Sequence, residues 1–128
     1  MKRIAVIICI CCLLGGCQKQ ETAYRVVTAV EVNYRQGENT LHRIYTRDEN
    51  ITVVLNYLRM LQPYGPVNPE ETDDLSCEII LKYSHGTDTV YTQLGYDYLR
   101  KDNERWAKID NTRATLLYPL LLLMPSDQ

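Results

Sequence analysis

Val26-Val27-Thr28-Ala29-Val30-Glu31-Val32-Asn33-Tyr34-Arg35-Gln36-Gly37-Glu38-Asn39-Thr40 carries the alternation that sets the fold. Val26, Thr28, Val30, Val32 and Tyr34 recur with period two, which predicts a strand over Arg25–Tyr34 with one apolar face. Gln36-Gly37-Glu38-Asn39 reads as a turn, because glycine accepts positive φ at little cost. Thr40–Tyr45 then returns as a second strand.

Working outward, the pattern changes period after Tyr45. Thr46-Arg47-Asp48-Glu49 fits a capping box, in which Thr46 and Glu49 satisfy each other's free backbone donors. Ile51, Val54, Leu55, Leu58 and Leu61 follow at helical spacing, with Asn50, Asn56 and Arg59 opposite. Gln62–Pro69 holds three prolines and is expected to contain no regular element. Cys77–Ser84 alternates again as a strand, His85-Gly86-Thr87 turns, and Asp88–Leu94 returns. Tyr96–Arg100 and Glu104–Ile109 form a further hairpin around Lys101-Asp102-Asn103. Trp106 in its last strand is expected to pack under a helix. Asp110 or Thr112 can cap a final helix through Ala114, Leu117, Leu120, Leu121 and Met124. Pro119 lies inside it and predicts a kink or break near Thr115–Tyr118.

The two hairpins share the spacing Tyr-x-x-Gly-x-x-Thr, at Tyr34-Gly37-Thr40 and Tyr83-Gly86-Thr89. Turn chemistry and an ancestral duplication account for it equally well. The elements together define an α+β fold: an antiparallel sheet of five or six strands with two helices on one face, in the order ββα-ββββα. With 128 residues, 45% of them hydrophobic and 23% charged, the chain suits one domain, placed at residues 25–128. A net charge of −2 excludes reliance on a broad basic face, so no nucleic-acid partner is expected.

The first residues follow a different logic. Lys2 and Arg3 precede an apolar run from Ile4 to Leu14, and then Gly15-Gly16-Cys17; this is the secretory-signal pattern. The run is shorter than the roughly 18 residues that a spanning helix needs. Leu14-Gly15-Gly16-Cys17 resembles the lipobox of bacterial lipoproteins. That resemblance implies a signal peptide at residues 1–16, cleavage before Cys17, diacylglycerol on the Cys17 sulfur and an acyl group such as palmitate on its amine. It also implies anchoring to the cell membrane or outer membrane, with the chain facing the periplasm or the cell exterior. Two or three acyl chains hold a protein far more firmly than one, at about 0.8 kcal/mol per buried CH₂.

Residues 17–24 then form a lipidated cysteine and short tether. Gln18–Thr22 spans on the order of 20 Å fully extended, so a partner must lie near the membrane surface. Cleavage would remove Cys9, Cys11 and Cys12, and lipid would consume Cys17. Cys77 is then the one remaining thiol, which leaves no intramolecular disulfide and no cysteine metal cluster. Beside Ile79 and Leu81 it reads as a small buried hydrophobe.

Chemistry-bearing patterns are sparse. There is no phosphate loop, no G-x-S-x-G and no histidine pair at helical spacing, so no metal and no cofactor is expected. His42 reads as a strand-surface residue and His85 as a turn residue. Glu70-Glu71 and Asp73-Asp74 read as a solvated linker. Tyrosine offers a flat apolar face with a hydroxyl and suits interfaces. The Tyr96–Arg100 hairpin is therefore the candidate binding face, through Tyr91, Tyr96, Asp97, Tyr98 and Arg100. The expected function is a lipid-anchored, non-enzymatic envelope lipoprotein that binds a protein or another envelope component near the membrane. One alternative is an inhibitor or sensor of an envelope hydrolase. A second is a small envelope enzyme using His42 or His85.

Overall fold

The computed structural model describes residues 26–71 and 74–127. The residues expected to form a signal peptide (1–16), and the expected lipidated cysteine and tether (17–24), lie outside them. The elements are β1 (Val27–Gln36), β2 (Asn39–Tyr45), α1 (Asp48–Met60), β3 (Leu75–Tyr83), β4 (Thr89–Leu94), β5 (Tyr98–Lys101), β6 (Ala107–Lys108) and α2 (Asn111–Leu123). The strands form one sheet in the order β2-β1-β3-β4-β5-β6, every neighbouring pair antiparallel. The expected ββα-ββββα order and α+β class are those of the protein.

Alternation along the strands divides the sheet into two faces. Val30 pairs with Leu81, Val32 with Ile79 and Tyr34 with Cys77. Directly opposed side chains share a face, and these six are buried. Both helices cover that face. From α1, Ile51, Val54, Tyr57 and Leu58 enter the core, and Ala114, Tyr118 and Leu121 do so from α2. Burying each large aliphatic side chain contributes about 1.5–3 kcal/mol, which fixes which face the helices take.

The helices run antiparallel because both ends of the pair are tied. At one end Asp110 N–H donates to Leu61 C=O at 2.9 Å, and Arg113 Nη1 donates to Met60 C=O at 3.3 Å. At the other, Asn50 Nδ2 donates to Asp127 Oδ1 at 2.6 Å. Backbone groups at both sheet edges are also used. Asp127 N–H donates to Ile44 C=O on β2 at 2.8 Å. Tyr64 and Lys108 exchange backbone bonds of 2.9 and 2.7 Å beside β6. These bonds occupy part of each edge, at Ile44 and at Lys108, and so shorten the strand surface open to pairing.

Several local expectations are corrected. A register shift between Val27 and Ala29 turns the start of β1, so Val27 packs on the core while Val26 and Thr28 are exposed. Strand β1 also continues two residues beyond Tyr34. The capping box does not form: the N-cap of α1 is Arg47, with no side-chain cap bond of its own. Asp127 Oδ2 instead accepts from Thr46 N–H at 2.8 Å and Arg47 N–H at 2.9 Å. The proline-rich segment is not wholly irregular, since Tyr64 makes the bridge to Lys108. Asp110 caps α2 as expected, accepting from Arg113 N–H at 3.1 Å. The break before Pro119 does not occur, and Asn111–Leu123 is one helix. Thr115 and Pro119 both sit on its exposed side, where water can satisfy the carbonyl that proline leaves free.

The two similar hairpins differ in geometry. Gln36 pairs with Asn39 around a two-residue loop, with Gly37 at φ 61°. Tyr83 ends β3 and Thr89 begins β4, with five residues between them and a Tyr83 Oη to Thr89 Oγ1 bond of 3.0 Å. Turn chemistry accounts for the shared glycines without structural equivalence.

Candidate functional site

The face of the sheet away from the helices carries polar residues from five of the six strands. The register aligns them in rows. Asn33 is opposite His42 and Glu78, Glu78 is opposite Thr92, and Thr92 is opposite Arg100. His42, Asn33, Glu78, Thr92 and Arg100 therefore form one polar row across five strands. Ile44, Glu31, Ile80 and Val90 flank it on one side; Thr40, Arg35, Ser76, Leu94 and Tyr98 flank it on the other.

The outer half of this row is hydrogen-bonded in sequence. His42 Nδ1 lies 2.5 Å from Asn33 Oδ1, and Asn33 Nδ2 donates to Glu78 Oε1 at 3.3 Å. With the Asn33 amide so placed, its Oδ1 accepts from Nδ1 of His42. A hollow of about 430 Å³ opens here, lined by residues that include Asn33, Arg35, Thr40, His42, Ser76, Glu78 and Thr92. Nearby, Lys82 Nζ sits 3.3 Å from both Glu31 and Asp88. Hydrogen bonds to Asp88 and then Glu31 hold its ammonium above the usual lysine range. The hollow thus presents a guanidinium, a carboxylate, an amide, an imidazole and three hydroxyls beside the exposed apolar side chain of Leu41, an array that can meet both hydrogen-bonding and apolar groups of a ligand.

The tyrosine hairpin is arranged otherwise. Its residues are split between the two faces and do not combine into one surface. Tyr91, opposite Ile79, lies on the helix side, where burial raises its phenol above the ordinary value. Tyr96 packs edge-to-face on Tyr118, with ring centres 5.8 Å apart. Tyr98 is on the other side but buried; Glu70 N–H donates to its hydroxyl at 3.1 Å and Lys108 Nζ lies 5.3 Å from its ring centre. Asp97 Oδ1 accepts from Asn111 Nδ2 at 2.9 Å, tying the β4–β5 turn to the start of α2. Arg100 stacks 4.6 Å over Trp106. Trp106 accordingly packs beneath a guanidinium and not beneath a helix.

Other tyrosines act as internal ties. Tyr34 Oη donates to Leu121 C=O at 3.2 Å, and Tyr45 Oη donates to Met124 C=O at 2.7 Å. Tyr57 Oη donates to Gln93 Oε1 at 2.6 Å inside the core. Burial pushes the Tyr34, Tyr57 and Tyr118 phenols far above their usual range, so all three stay neutral and Tyr34 and Tyr57 donate.

Cys77 is 1% exposed and burial raises its thiol, with Glu78 adding to the effect, so thiolate chemistry is suppressed. His85 lies in an exposed turn with Ser84 Oγ 3.3 Å from Nδ1. Glu70, Glu71 and Asp74 are exposed, while Asp73 lies outside the described residues. Among the described residues, no group of three or more His, Cys, Asp and Glu could hold a metal ion. None of their helices is long and apolar enough to cross a membrane.

The fold and site define a two-layer α+β domain whose outer sheet face is open around the His42–Asn33–Glu78 row and covered at Tyr98 on its β5 side. The chain matches no family model, no curated protein and no solved structure.

Sequence reasoning missed this row. His42 was read singly, and Asn33 and Glu78 passed as the polar halves of two alternating strands. The signal that finds them is the pairing of Val32 with Ile79 in register, which places Asn33 beside Glu78 one residue further on.

Proposed function

We propose that the chain is a lipid-anchored, non-enzymatic binding module of a bacterial envelope, and that the bare sheet face takes a polar envelope component. The observation that carries this reading is the hydrogen-bonded run His42–Asn33–Glu78 in its hollow. Side chains on three rigid strands are pre-ordered there, which lowers the entropic cost of binding. The placement of the tyrosines in ties and packing contacts favours this face over the hairpin. Anchoring through Cys17 supports the location and rests on the lipobox resemblance.

The test uses the full chain expressed in a bacterial host, with a photoreactive side chain at Thr92 or, for comparison, at Thr112 at the start of α2. One dominant adduct from position 92, lost on Glu78→Gln, is expected in isolated envelopes. Equal labelling from both positions, or labelling indifferent to Glu78→Gln, would overturn the assignment of the face.

A further inference from the structure

The outer surface of the helix pair is apolar where a water-facing surface would be charged. Leu116, Leu120 and Leu123 of α2 are 66%, 63% and 75% exposed, and Val53 and Met60 of α1 are 46% and 42% exposed. No charged residue occurs from Ala114 to Met124. A groove of about 220 Å³ runs between the helices, with Val53, Met60, Leu117 and Leu120 among its lining residues. A surface helix ordinarily turns its polar side outward, and contiguous exposed apolar surface marks a contact with a partner or membrane. Charged side chains stand at the ends of the pair: Arg47, Asp48 and Glu49 at one end, Arg59 and Arg113 at the other.

The point where the leading segment joins the domain bears on what covers this surface. Strand β1 begins at Val27, at the end of the sheet where β2 finishes and α1 starts, since Val30 is opposite Tyr45. Met124, just past α2, meets Tyr45 at that same end. The ten residues from Cys17 to Val27 can reach at most about 35 Å. A lipid on Cys17 therefore holds this end of the domain within a tether's length of the bilayer. The apolar helix surface adjoins it, and the bare polar face lies on the opposite side of the sheet.

We infer that the outer face of α1 and α2 rests on the lipid surface, with Leu116, Leu120, Leu123, Val53 and Met60 in the interfacial region. The inference rests on the lipid-anchor reading and adds an orientation to it: the domain lies helix-side down, and the His42–Asn33–Glu78 hollow faces away from the membrane. The strip is short and its flanks are polar, which suits lying on a membrane and not crossing it. The acyl anchor raises the local concentration of this weak contact, so it need not bind lipid unaided.

The test reads depth by tryptophan quenching. Trp106 is the only tryptophan, so Leu120→Trp in a Trp106→Phe background reports the helix face. Thr92→Trp in the same background reports the bare face. Each lipidated full-length variant is reconstituted in phosphatidylethanolamine–phosphatidylglycerol vesicles with and without brominated acyl chains. The expected result is loss of most emission at position 120 in brominated vesicles, with position 92 and the parent's Trp106 nearly unchanged. Vesicle-bound protein with unquenched emission at position 120 would overturn the orientation while leaving the anchor intact. Protein that stays out of the vesicle fraction would overturn both. Emission at 120 that is blue-shifted with protein concentration but unquenched identifies a second copy on this face and overturns the lipid contact. The same shift without concentration dependence identifies the chain's own leading segment, with the same consequence.

Discussion

The Tyr57–Gln93 pair permits the sharpest energetic test. Gln93 is wholly buried, and both ends of its amide are used: Oε1 accepts from Tyr57 Oη at 2.6 Å, and Nε2 donates to Gly95 C=O at 2.8 Å. Tyr57→Phe removes one donor and leaves Oε1 buried without it, at a cost of about 1–3 kcal/mol. Gln93→Met removes both bonds and orphans the Tyr57 hydroxyl and the Gly95 carbonyl, for a larger loss. In the double variant only the Gly95 carbonyl is orphaned by these changes. The loss in the double variant should therefore fall short of the sum of the two single losses by about 1–3 kcal/mol or more. For a domain near 100 residues, 1 kcal/mol moves the melting midpoint by about 4–8 °C. Urea unfolding of the four proteins, read by circular dichroism at pH 7, closes the cycle. Additive losses within about 0.3 kcal/mol would show that the two side chains do not share a buried bond and would refute the reasoning.

Three further outcomes follow from other contacts. Pro119→Ala restores a backbone donor on an exposed helix side and should raise stability by up to about 3 kcal/mol, seen as a higher denaturation midpoint. Asp127 is held below the ordinary carboxylate range chiefly by the Arg47 N–H, with Thr46 N–H and the Asn50 amide adding to it. Its stabilisation is thus complete above about pH 4 and fades as pH falls through the lowered folded value. Asp127→Ala should melt earlier than the parent at pH 7, with the gap closing toward pH 2; a gap that widens in acid would contradict the cap. Cys77 should resist alkylation at pH 8 in the folded chain and react at once in denaturant, as mass spectrometry of Cys77-containing peptides would record.

The sheet was legible because its signals are local. Val30, Val32 and Tyr34 alternate within five residues, and Ile51, Val54 and Leu58 hold helical spacing within eight. Tyr57 escaped the helical stripe because tyrosine belongs to neither the apolar nor the polar class, and its partner Gln93 looks like a solvent-facing strand residue. The cap of α1 was illegible for a different reason. Asp127 stands about 80 residues from Thr46 and Arg47, while the adjacent Thr46 and Glu49 offered a local solution that tertiary structure did not use. The bulge near Val27 shifted the first residues of β1 by one, enough to exchange the faces of Val26 and Val27. The candidate site demanded the most, since a polar row exists only once five strands are set in register.

Hydroxyl-radical footprinting of the full-length chain tests the central claim most directly, because His42 and Met60 are both exposed and oxidise readily on opposite sides of the molecule. The chain in native envelopes is compared with the purified chain in vesicles of the same lipids. A bare sheet face that takes an envelope component predicts strong protection of His42 in envelopes alone, and protection of Met60 in both preparations. His42 oxidised equally in the two would contradict the assignment of that face.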